Sequence, residues 1–339
     1  MSRHNEPRVE LYEGDSNDVL PELYAKGVRV HSCLCDPPYY LESIVKRFGK
    51  EGSKAARAGS DGRFARQSRG FMERTWDGGD NGYKIAHDPT FWRRVYDLLL
   101  PGGYCLAFSH ASTGHHQAVA MEAAGFKMHP FIAWTYHTGF PKAHAIHKPG
   151  KSPVGTEEWE GWYHSTQTLK PALEPIYVAQ KPFSEKTGIA NVLKHGAGAM
   201  NVDACRGPGD RWPSNLLTDG SPEVGARVPL EYFASFPLEA NIFHHGKATK
   251  EDRAGSDHAT VKPVALLRHL VRLVTPKYGF VLDPFSGSGT TGQAALDEGR
   301  NAILVERETD YIADIKRRFD LDHEEAEDGY AAILRSLVA

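Results

Sequence analysis

Residues 280–291 read Phe280-Val281-Leu282-Asp283-Pro284-Phe285-Ser286-Gly287-Ser288-Gly289-Thr290-Thr291. A short apolar run is followed by two alternating glycines and then by two threonines. This order predicts a strand, a tight glycine loop and the start of a helix. Glycine lets the backbone of such a loop approach a nucleotide-like ligand closely. The stretch therefore indicates an α/β fold with a ligand at the carboxyl end of a strand.

The surroundings of this loop narrow the class of ligand. The loop lacks the Gly-x-x-x-x-Gly-Lys-Ser/Thr pattern of a phosphate cradle, which argues against ATP. Glu306 ends the next predicted strand, where an acidic side chain can bind both hydroxyls of a ribose. A dinucleotide site has similar features, so the glycine loop alone does not identify the ligand.

A second motif follows the apolar run 28–35, which stops at Asp36-Pro37-Pro38-Tyr39. The run predicts a strand, and open α/β sheets place their ligands at the carboxyl ends of strands. Asp36 offers a carboxylate acceptor, and Pro37 offers a backbone carbonyl. Pro38 stiffens the chain, while Tyr39 supplies a ring on which a base can stack.

These groups suit methylation of the exocyclic amino group of a nucleobase, which is a poor nucleophile because its lone pair is delocalised into the ring. Two acceptors that take its N–H bonds draw the nitrogen toward tetrahedral geometry, where the lone pair can attack. Asp-Pro-Pro-Tyr is also compatible with a simple turn after a strand. Its combination with the glycine loop favours the catalytic interpretation.

Periodicity predicts βα units of a doubly wound sheet over most of the remaining chain. Further strands are predicted at 8–12, 104–109, 131–136, 175–179 and 302–305. Helices are predicted after the first strand to 23, and at 91–100, 112–124, 263–274, after the glycine loop to 298, and 310–319. Asp88-Pro89 is a plausible start for the helix at 91–100, and Pro101-Gly102-Gly103 is expected to end it.

Two segments differ from this pattern. Residues 46–74 contain nine basic and three acidic side chains with few apolar ones, which predicts a mobile basic loop. Periodicity fades in 183–255, which we interpret as an insertion on the sheet. The chain then divides into a catalytic half at 1–182, the insertion at 183–255 and a cofactor-binding half at 256–339. The positive charge of the loop favours phosphate contacts, with a solvated face as the alternative.

Composition fits a globular enzyme of one large domain, or of one domain with an insertion: 339 residues, 40% hydrophobic and 24% charged. No run approaches the ~20 apolar residues that span a bilayer, and we expect no membrane association and a cytoplasmic location. The formal charge of −3 argues against a general polyanion binder, although a local patch can still bind DNA.

The potential metal ligands do not form a metal-site pattern. Four cysteines are too few for a disulfide framework and match no zinc spacing, so we expect reduced thiols at Cys33, Cys35, Cys105 and Cys205. The pairs His115-His116 and His244-His245 have no acidic or thiol partner at ligand spacing, so we expect no metal. Trp76 and Trp212 are interpreted as packing residues rather than base-stacking ones.

The two motifs together resemble those of the amino-methyltransferases of DNA, in the group in which the catalytic motif precedes the cofactor motif. Phage and prophage methylases of this group are similar. Asp36 to Tyr39 match the catalytic motif, and Asp283 to Thr290 match the cofactor loop. The segment His258-Ala259-Thr260-Val261-Lys262-Pro263 matches one that wraps the cofactor, with Ala259 where the family usually has proline.

The resemblance implies a Rossmann-like methyltransferase fold of circularly permuted order that uses S-adenosylmethionine. The implied catalytic residues are Asp36, Pro37, Pro38 and Tyr39. The implied cofactor-binding residues are Asp15, Asp36, Thr260, Lys262, Asp283, Pro284, Phe285, Ser286, Gly287, Ser288, Gly289, Thr290 and Glu306. The insertion at 183–255 would recognise the target in double-stranded DNA, and the basic loop would close over it. A homodimer is one option for the assembly.

The implied reaction is direct methyl transfer to the 6-amino group of a flipped adenine, without a covalent enzyme intermediate. Cys33 and Cys35 are then bystanders. In this family a leading Asp favours adenine, whereas enzymes for the 4-amino group of cytosine more often begin with Ser. RNA and protein-glutamine methyltransferases more often begin with Asn and place the glycine loop first. A DNA-binding module without catalysis is disfavoured, because Asp36 and the glycine loop are intact.

Overall fold

The structure is a computed structural model that describes residues 6–40, 84–137, 139, 141, 143–165, 167–222, 226, 249–256 and 261–321. Its strands are β1 (Val9–Glu13), β2 (Val30–Cys35), β3 (Leu99–Phe108), β4 (Lys127–Thr135), β5 (His144–Ala145), β6 (Tyr163–His164), β7 (Leu173–Gln180), β8 (Leu216–Thr218), β9 (Phe280–Asp283) and β10 (Asn301–Glu306). Its helices are α1 (Ser16–Ala25), α2 (Pro89–Leu98), α3 (Gly114–Ala123), α4 (Gly188–His195), α5 (Lys250–Arg253), α6 (Val264–Val274), α7 (Thr290–Asp297) and α8 (Thr309–Phe319).

Eight of these strands form one sheet in the order β1-β10-β9-β2-β3-β7-β4-β8, while β5 and β6 form a separate two-stranded hairpin. Strand β7 is antiparallel to both of its neighbours, and the other pairs in the sheet are parallel. The carboxyl ends of the seven parallel strands therefore lie at one edge of the sheet, together with the amino end of β7. We call this the carboxyl edge.

Strands β2 and β9 come from opposite ends of the chain, yet they are direct neighbours, with Cys33 opposite Leu282. Because each predicted motif follows one of these two strands, the pairing brings the motifs side by side at the carboxyl edge. This is the α/β sheet with a permuted order of motifs that the sequence predicts.

Two apolar cores cover the two faces of the sheet. Alternate residues of each strand supply them, so that Leu34 of β2 lies in one core while Cys33 and Cys35 lie in the other. Helices α6 and α7 cover the first face, and helices α1, α2 and α3 cover the second. Because helices pack on both faces, the strands and their ends at the carboxyl edge are held in place.

Local signals account for the start of the first two helices. Asp15 accepts a hydrogen bond from the backbone N–H of Asn17 and caps α1, and Asp88 does the same for Thr90 at the start of α2. Pro89 occupies the first turn of α2, where its missing N–H costs no hydrogen bond. The predicted start of this helix at Asp88-Pro89 is confirmed.

The end of α2 differs from the prediction. The helix ends at Leu98, and residues 101–103, which we expected to separate it from the next strand, lie inside β3. The glycines serve strand pairing instead. A Cβ on Gly103 would lie 2.8 Å from the backbone oxygen of His31 in β2, so only glycine permits this approach.

Among the elements of the range 183–255, helix α4 and strand β8 were not predicted by periodicity. Helix α4 packs beside β3, where Asn191 donates a hydrogen bond to the backbone oxygen of Pro101 at 2.8 Å. Strand β8 extends the central sheet, with Leu216 opposite Ala133 of β4. Both elements are short, and their few apolar residues give little periodic signal. The basic loop at 46–74, Trp76 and His244-His245 lie outside the described residues.

Candidate active site

The carboxyl edge gathers the acidic side chains that follow or end five of its strands. Asp36 follows β2, Asp283 ends β9, and Glu306 ends β10. Asp15 follows β1, and Glu174 lies at the amino end of the antiparallel strand β7. The edge is therefore strongly negative, as a site for a positively charged ligand would be.

Asp36 is held by two donors. The hydroxyl of Tyr39 donates to one of its carboxylate oxygens, and the ammonium of Lys262 donates to the other. The side chain of Asp36 is 22% exposed, which leaves it open to a substrate from one side. The two motif residues thus form one compact unit with Lys262.

The backbone after Asp36 is fixed by contacts with the loop that follows β3. The hydroxyl of Thr113 donates to the backbone oxygen of Tyr39 at 3.3 Å, and the ring of His110 lies 6.3 Å from the ring of Tyr39. Tyr40 adopts a left-handed conformation with φ of 49°. Such a conformation is unfavourable for a residue with a Cβ and is often found next to functional sites.

The glycine loop folds tightly between β9 and α7. Gly287 and Gly289 have φ of 53° and 78°, which favours glycine at both positions. A Cβ on Gly289 would also lie 2.9 Å from the ring of Phe319 in α8. Ser286 closes the turn, because its hydroxyl donates to the backbone oxygen of Asp283 at 2.8 Å.

Glu306 anchors this loop. One of its oxygens accepts the backbone N–H of Gly287 at 2.7 Å, and the other accepts those of Arg307 and Glu308, both at 2.9 Å. Burial raises the pKa of Glu306, and these backbone donors oppose the rise. The carboxylate therefore fixes the loop in addition to any contact it makes with a ligand.

Asp283 lies beneath the loop. It is 3% exposed and accepts the backbone N–H of Phe285 at 3.0 Å. The pKa of Asp283 is raised to about 7, chiefly by burial and also by the nearby charges of Asp36 and Glu306. A hydrogen bond from Thr291 acts in the opposite direction. The three carboxylates are thus close enough to interact.

The remaining predicted site residues lie in four different places. The side chain of Asp15 caps α1 and lies 3.3 Å from Arg307, which follows Glu306. Pro284, Phe285, Ser288 and Thr290 form the loop and the first residue of α7. Thr260 lies outside the described residues. Lys262 contacts the catalytic carboxylate, while its predicted contact with a cofactor stays a prediction.

The sequence analysis did not identify Glu174. Its carboxylate lies 3.5 Å from the ammonium of Lys262, and its side chain is 10% exposed. A glutamate near the start of a strand of mostly apolar residues is the signal that could have revealed it, because a buried charge requires a partner.

The cysteines, the potential metal ligands and Trp212 were also subjects of predictions from the sequence. All four cysteines are free and buried, as expected of reduced thiols, and burial raises the pKa of Cys33 and Cys35. Among the described residues, no group of His, Cys, Asp or Glu could hold a metal ion. Trp212 is 69% exposed and therefore is not the packing residue that we expected. Within the described ranges, no helix is long and apolar enough to cross a membrane.

Comparison with known proteins relates this geometry to a family. Residues 30–317 match a family model described as DNA methylase. The chain is 30% identical to the Type II methyltransferase M.HindIII of Haemophilus influenzae over 310 residues, which cover 88% of this chain and 90% of the relative. It is 41% identical to the DNA adenine methyltransferase YhdJ of Escherichia coli over 73 residues, 21% of this chain and 25% of that protein.

A solved structure has a similar fold. The crystal structure of the M1.HpyAVI–SAM complex matches with a TM-score of 0.50 and 18% identity, and covers 93% of this chain and 100% of the other. This similarity confirms the predicted Rossmann-like methyltransferase fold.

Proposed function

Since the chain belongs to the family of DNA methylases that modify the amino group of adenine or cytosine with S-adenosylmethionine, we propose that it methylates the 6-amino group of adenine at a specific DNA site. The observation that carries this proposal is the carboxylate of Asp36, held at the carboxyl edge beside the glycine loop. Adenine is supported by Asp at the head of the motif. The match to a protein named DNA adenine methyltransferase supports it as well.

The residues around the glycine loop fit this cofactor. When bound, S-adenosylmethionine supplies a methyl group on a positively charged sulfur, which suits the negative carboxyl edge. We propose that Glu306 binds its ribose and that the backbone of 283–290 encloses it, with Asp15 and Thr260 completing the site. Gly287 gives the loop the left-handed conformation that close approach requires, and no phosphate-binding lysine stands in the loop.

On the substrate side, we propose that Asp36 accepts one N–H of the amino group and that the backbone carbonyl of Pro37 accepts the other. The two acceptors localise the lone pair on the nitrogen and leave a proton acceptor beside it as positive charge develops. Tyr39 offers its ring to a base that has been flipped out of the duplex, which costs a few kcal/mol. The nitrogen would bond to the methyl carbon as the bond between that carbon and the sulfur breaks, the sulfur would leave as a neutral thioether, and Asp36 would accept the proton that the nitrogen releases. The cysteines take no part.

The range 183–255 is the proposed target-recognition region. It carries the exposed ring of Trp212, and the guanidinium of the partly buried Arg206 lies 5.5 Å from its centre. Such a pair can stack on bases and contact phosphates. The basic residues of 46–74 would add phosphate contacts beside the catalytic motif.

The function is tested by expressing the chain in a host that lacks DNA methylation and mapping modified bases by single-molecule sequencing. We expect methylated adenines in one fixed sequence context and none with the Asp36→Ala variant. Methylated cytosines in a fixed context would show that the enzyme acts on the 4-amino group of cytosine. Unmodified DNA from a soluble, folded protein would direct attention to RNA or protein glutamine as the substrate.

A further inference from the structure

Lys262 lies between two carboxylates at the carboxyl edge. It is 6% exposed, and its ammonium donates to one oxygen of Asp36. The same nitrogen lies 3.3 Å from the hydroxyl of Tyr39 and 3.5 Å from a carboxylate oxygen of Glu174. The ring centre of Phe108, at 4.9 Å, closes the remaining side. The three N–H bonds of Lys262 thus have three polar neighbours in a narrow cage.

Burial of the Lys262 ammonium lowers the stability of the fold unless charged partners compensate for the lost water. Removing an ammonium from water costs several kcal/mol, and a single ion pair frequently fails to recover that cost. Here Glu174 provides a second negative charge. It reaches the site from β7, where it is held opposite the buried Trp134 of β4. Glu174 therefore places a second carboxylate beside the ammonium.

The charges around Asp36 explain why a cation is needed there. Lys262 is the positive group that contacts it, and Tyr39 donates a neutral hydrogen bond. Asp283 ends β9, the neighbour of β2, while Glu174 lies on β7, beyond β3, and Glu306 lies beyond Asp283. The ring of His110, after β3, lies 6.3 Å from the ring of Tyr39. Without Lys262, one oxygen of Asp36 would lose its charged donor, and the carboxylate could turn away from the amino group whose N–H it has to accept.

We propose that Lys262, aligned by Glu174, is a positioning residue that keeps the carboxylate of Asp36 paired with a cation and oriented to accept the N–H of the target amino group. This inference rests on the proposed function and assigns two residues to the base side of the site. It separates Lys262 from the cofactor contacts that its sequence motif implies. A cofactor ligand would change the affinity for S-adenosylmethionine, whereas a positioning residue changes the rate and its dependence on pH.

The test measures single-turnover methyl transfer from methyl-labelled S-adenosylmethionine to genomic DNA of a methylation-deficient host, between pH 5 and 9. For Lys262→Met we expect a rate about 10- to 100-fold lower, the effect of losing one charged hydrogen bond. The acidic limb of the rate profile should move to higher pH by about one unit or more. For Glu174→Gln the limb should move to lower pH, because the ammonium then acts on Asp36 alone. Lys262→Arg, which keeps the charge, should restore most of the rate.

Lys181→Met is the matched control. Lys181 follows β7 at its carboxyl end, where its ammonium donates to the backbone oxygens of Tyr96 and Leu99. This variant should lower stability and leave the shape of the pH profile unchanged. Isothermal titration with S-adenosylmethionine should give Kd values for Lys262→Met and Glu174→Gln within about threefold of wild type, a difference of under about 1 kcal/mol.

The outcomes are distinguishable. A wild-type protein that methylates no DNA would overturn the proposed function and not only the role of Lys262. If the wild type is active, unshifted pH profiles for both variants would overturn the positioning role. A Kd of either variant for the cofactor more than about 10-fold above that of wild type would overturn it as well. If Lys262→Met does not fold, the direction of the Glu174→Gln shift and the rescue by Lys262→Arg decide the question.

Discussion

The carboxylate of Glu306 accepts the backbone N–H of Gly287 at 2.7 Å. This bond joins the end of β10 to the turn of the glycine loop, so the residue proposed to bind the ribose also sets the shape of the loop. A substitution of Glu306 should therefore lower cofactor affinity both by removing the proposed ribose contact and by changing the shape of the loop.

For Glu306→Ala, we expect the Kd for S-adenosylmethionine to rise about 10- to 100-fold, since three backbone donors lose a charged acceptor. Glu306→Gln should have a smaller effect, because its amide oxygen retains part of the accepting capacity. Isothermal titration measures both. Glu308→Ala is the control, since within the described ranges its side chain pairs with the neighbouring exposed Arg307 and such pairs contribute little. An unchanged Kd for Glu306→Ala would contradict the assignment.

Asp36→Ala should abolish methyl transfer, with a loss of about 10³-fold or more, because the amino group loses its charged acceptor. Cofactor binding should change by under about 1 kcal/mol, since the glycine loop and Glu306 remain in place. Single-turnover kinetics and titration with S-adenosylmethionine separate the two effects. Unchanged transfer would disprove the mechanism.

Much of this site could be predicted from local sequence. The two motifs follow short apolar runs, and parallel strands bring such ends to one edge whatever the distance along the chain. The rule does not say which strands are neighbours, and the pairing of β2 with β9 is seen only in the structure. The caps at Asp15 and Asp88 are equally local, because a capping side chain contacts the backbone two residues away.

The features that were missed depend on contacts across the sheet. Gly103 resembles a helix terminator in sequence, but its role follows from the approach of His31 on the adjacent strand. Glu174 acquires its role from Lys262, which is far away in the chain and joins it only when α6 packs on the sheet. Strand β8 is three residues long and is defined by its pairing with β4 rather than by periodicity.

Gly289→Ala should destabilise the protein more than Gly150→Ala, which introduces similar backbone strain. Both Gly289 and Gly150 have positive φ, but a Cβ at Gly150 would meet nothing within 4 Å, whereas at Gly289 it would meet Phe319 at 2.9 Å. Backbone strain of about 1 kcal/mol applies to both, and overpacking adds about 1–3 kcal/mol at Gly289 alone. Urea unfolding of the two variants measures the difference. Equal losses would show that α8 yields to the new side chain.

Asp283 should make stability depend on pH near neutrality. Burial raises its pKa to about 7 in the folded protein, above the ordinary value of 3.8. The folded state therefore binds more protons than the unfolded state between these values. Hence the free energy of unfolding falls as the pH rises from about 4 to 7, and the contribution of the protonated carboxyl is lost above 7.

Asp283→Asn removes this titration while keeping an oxygen that can accept the N–H of Phe285. We expect the variant to gain stability relative to wild type at pH 8, with a Tm higher by about 2 °C or more, and to show a smaller difference at pH 5. Thermal unfolding of both proteins without cofactor at the two pH values provides the measurement. If the Tm of the variant differs from that of wild type by the same amount at pH 5 and pH 8, Asp283 is ionised at both values. The hydrogen bonds from Thr291 and Phe285 would then outweigh its burial.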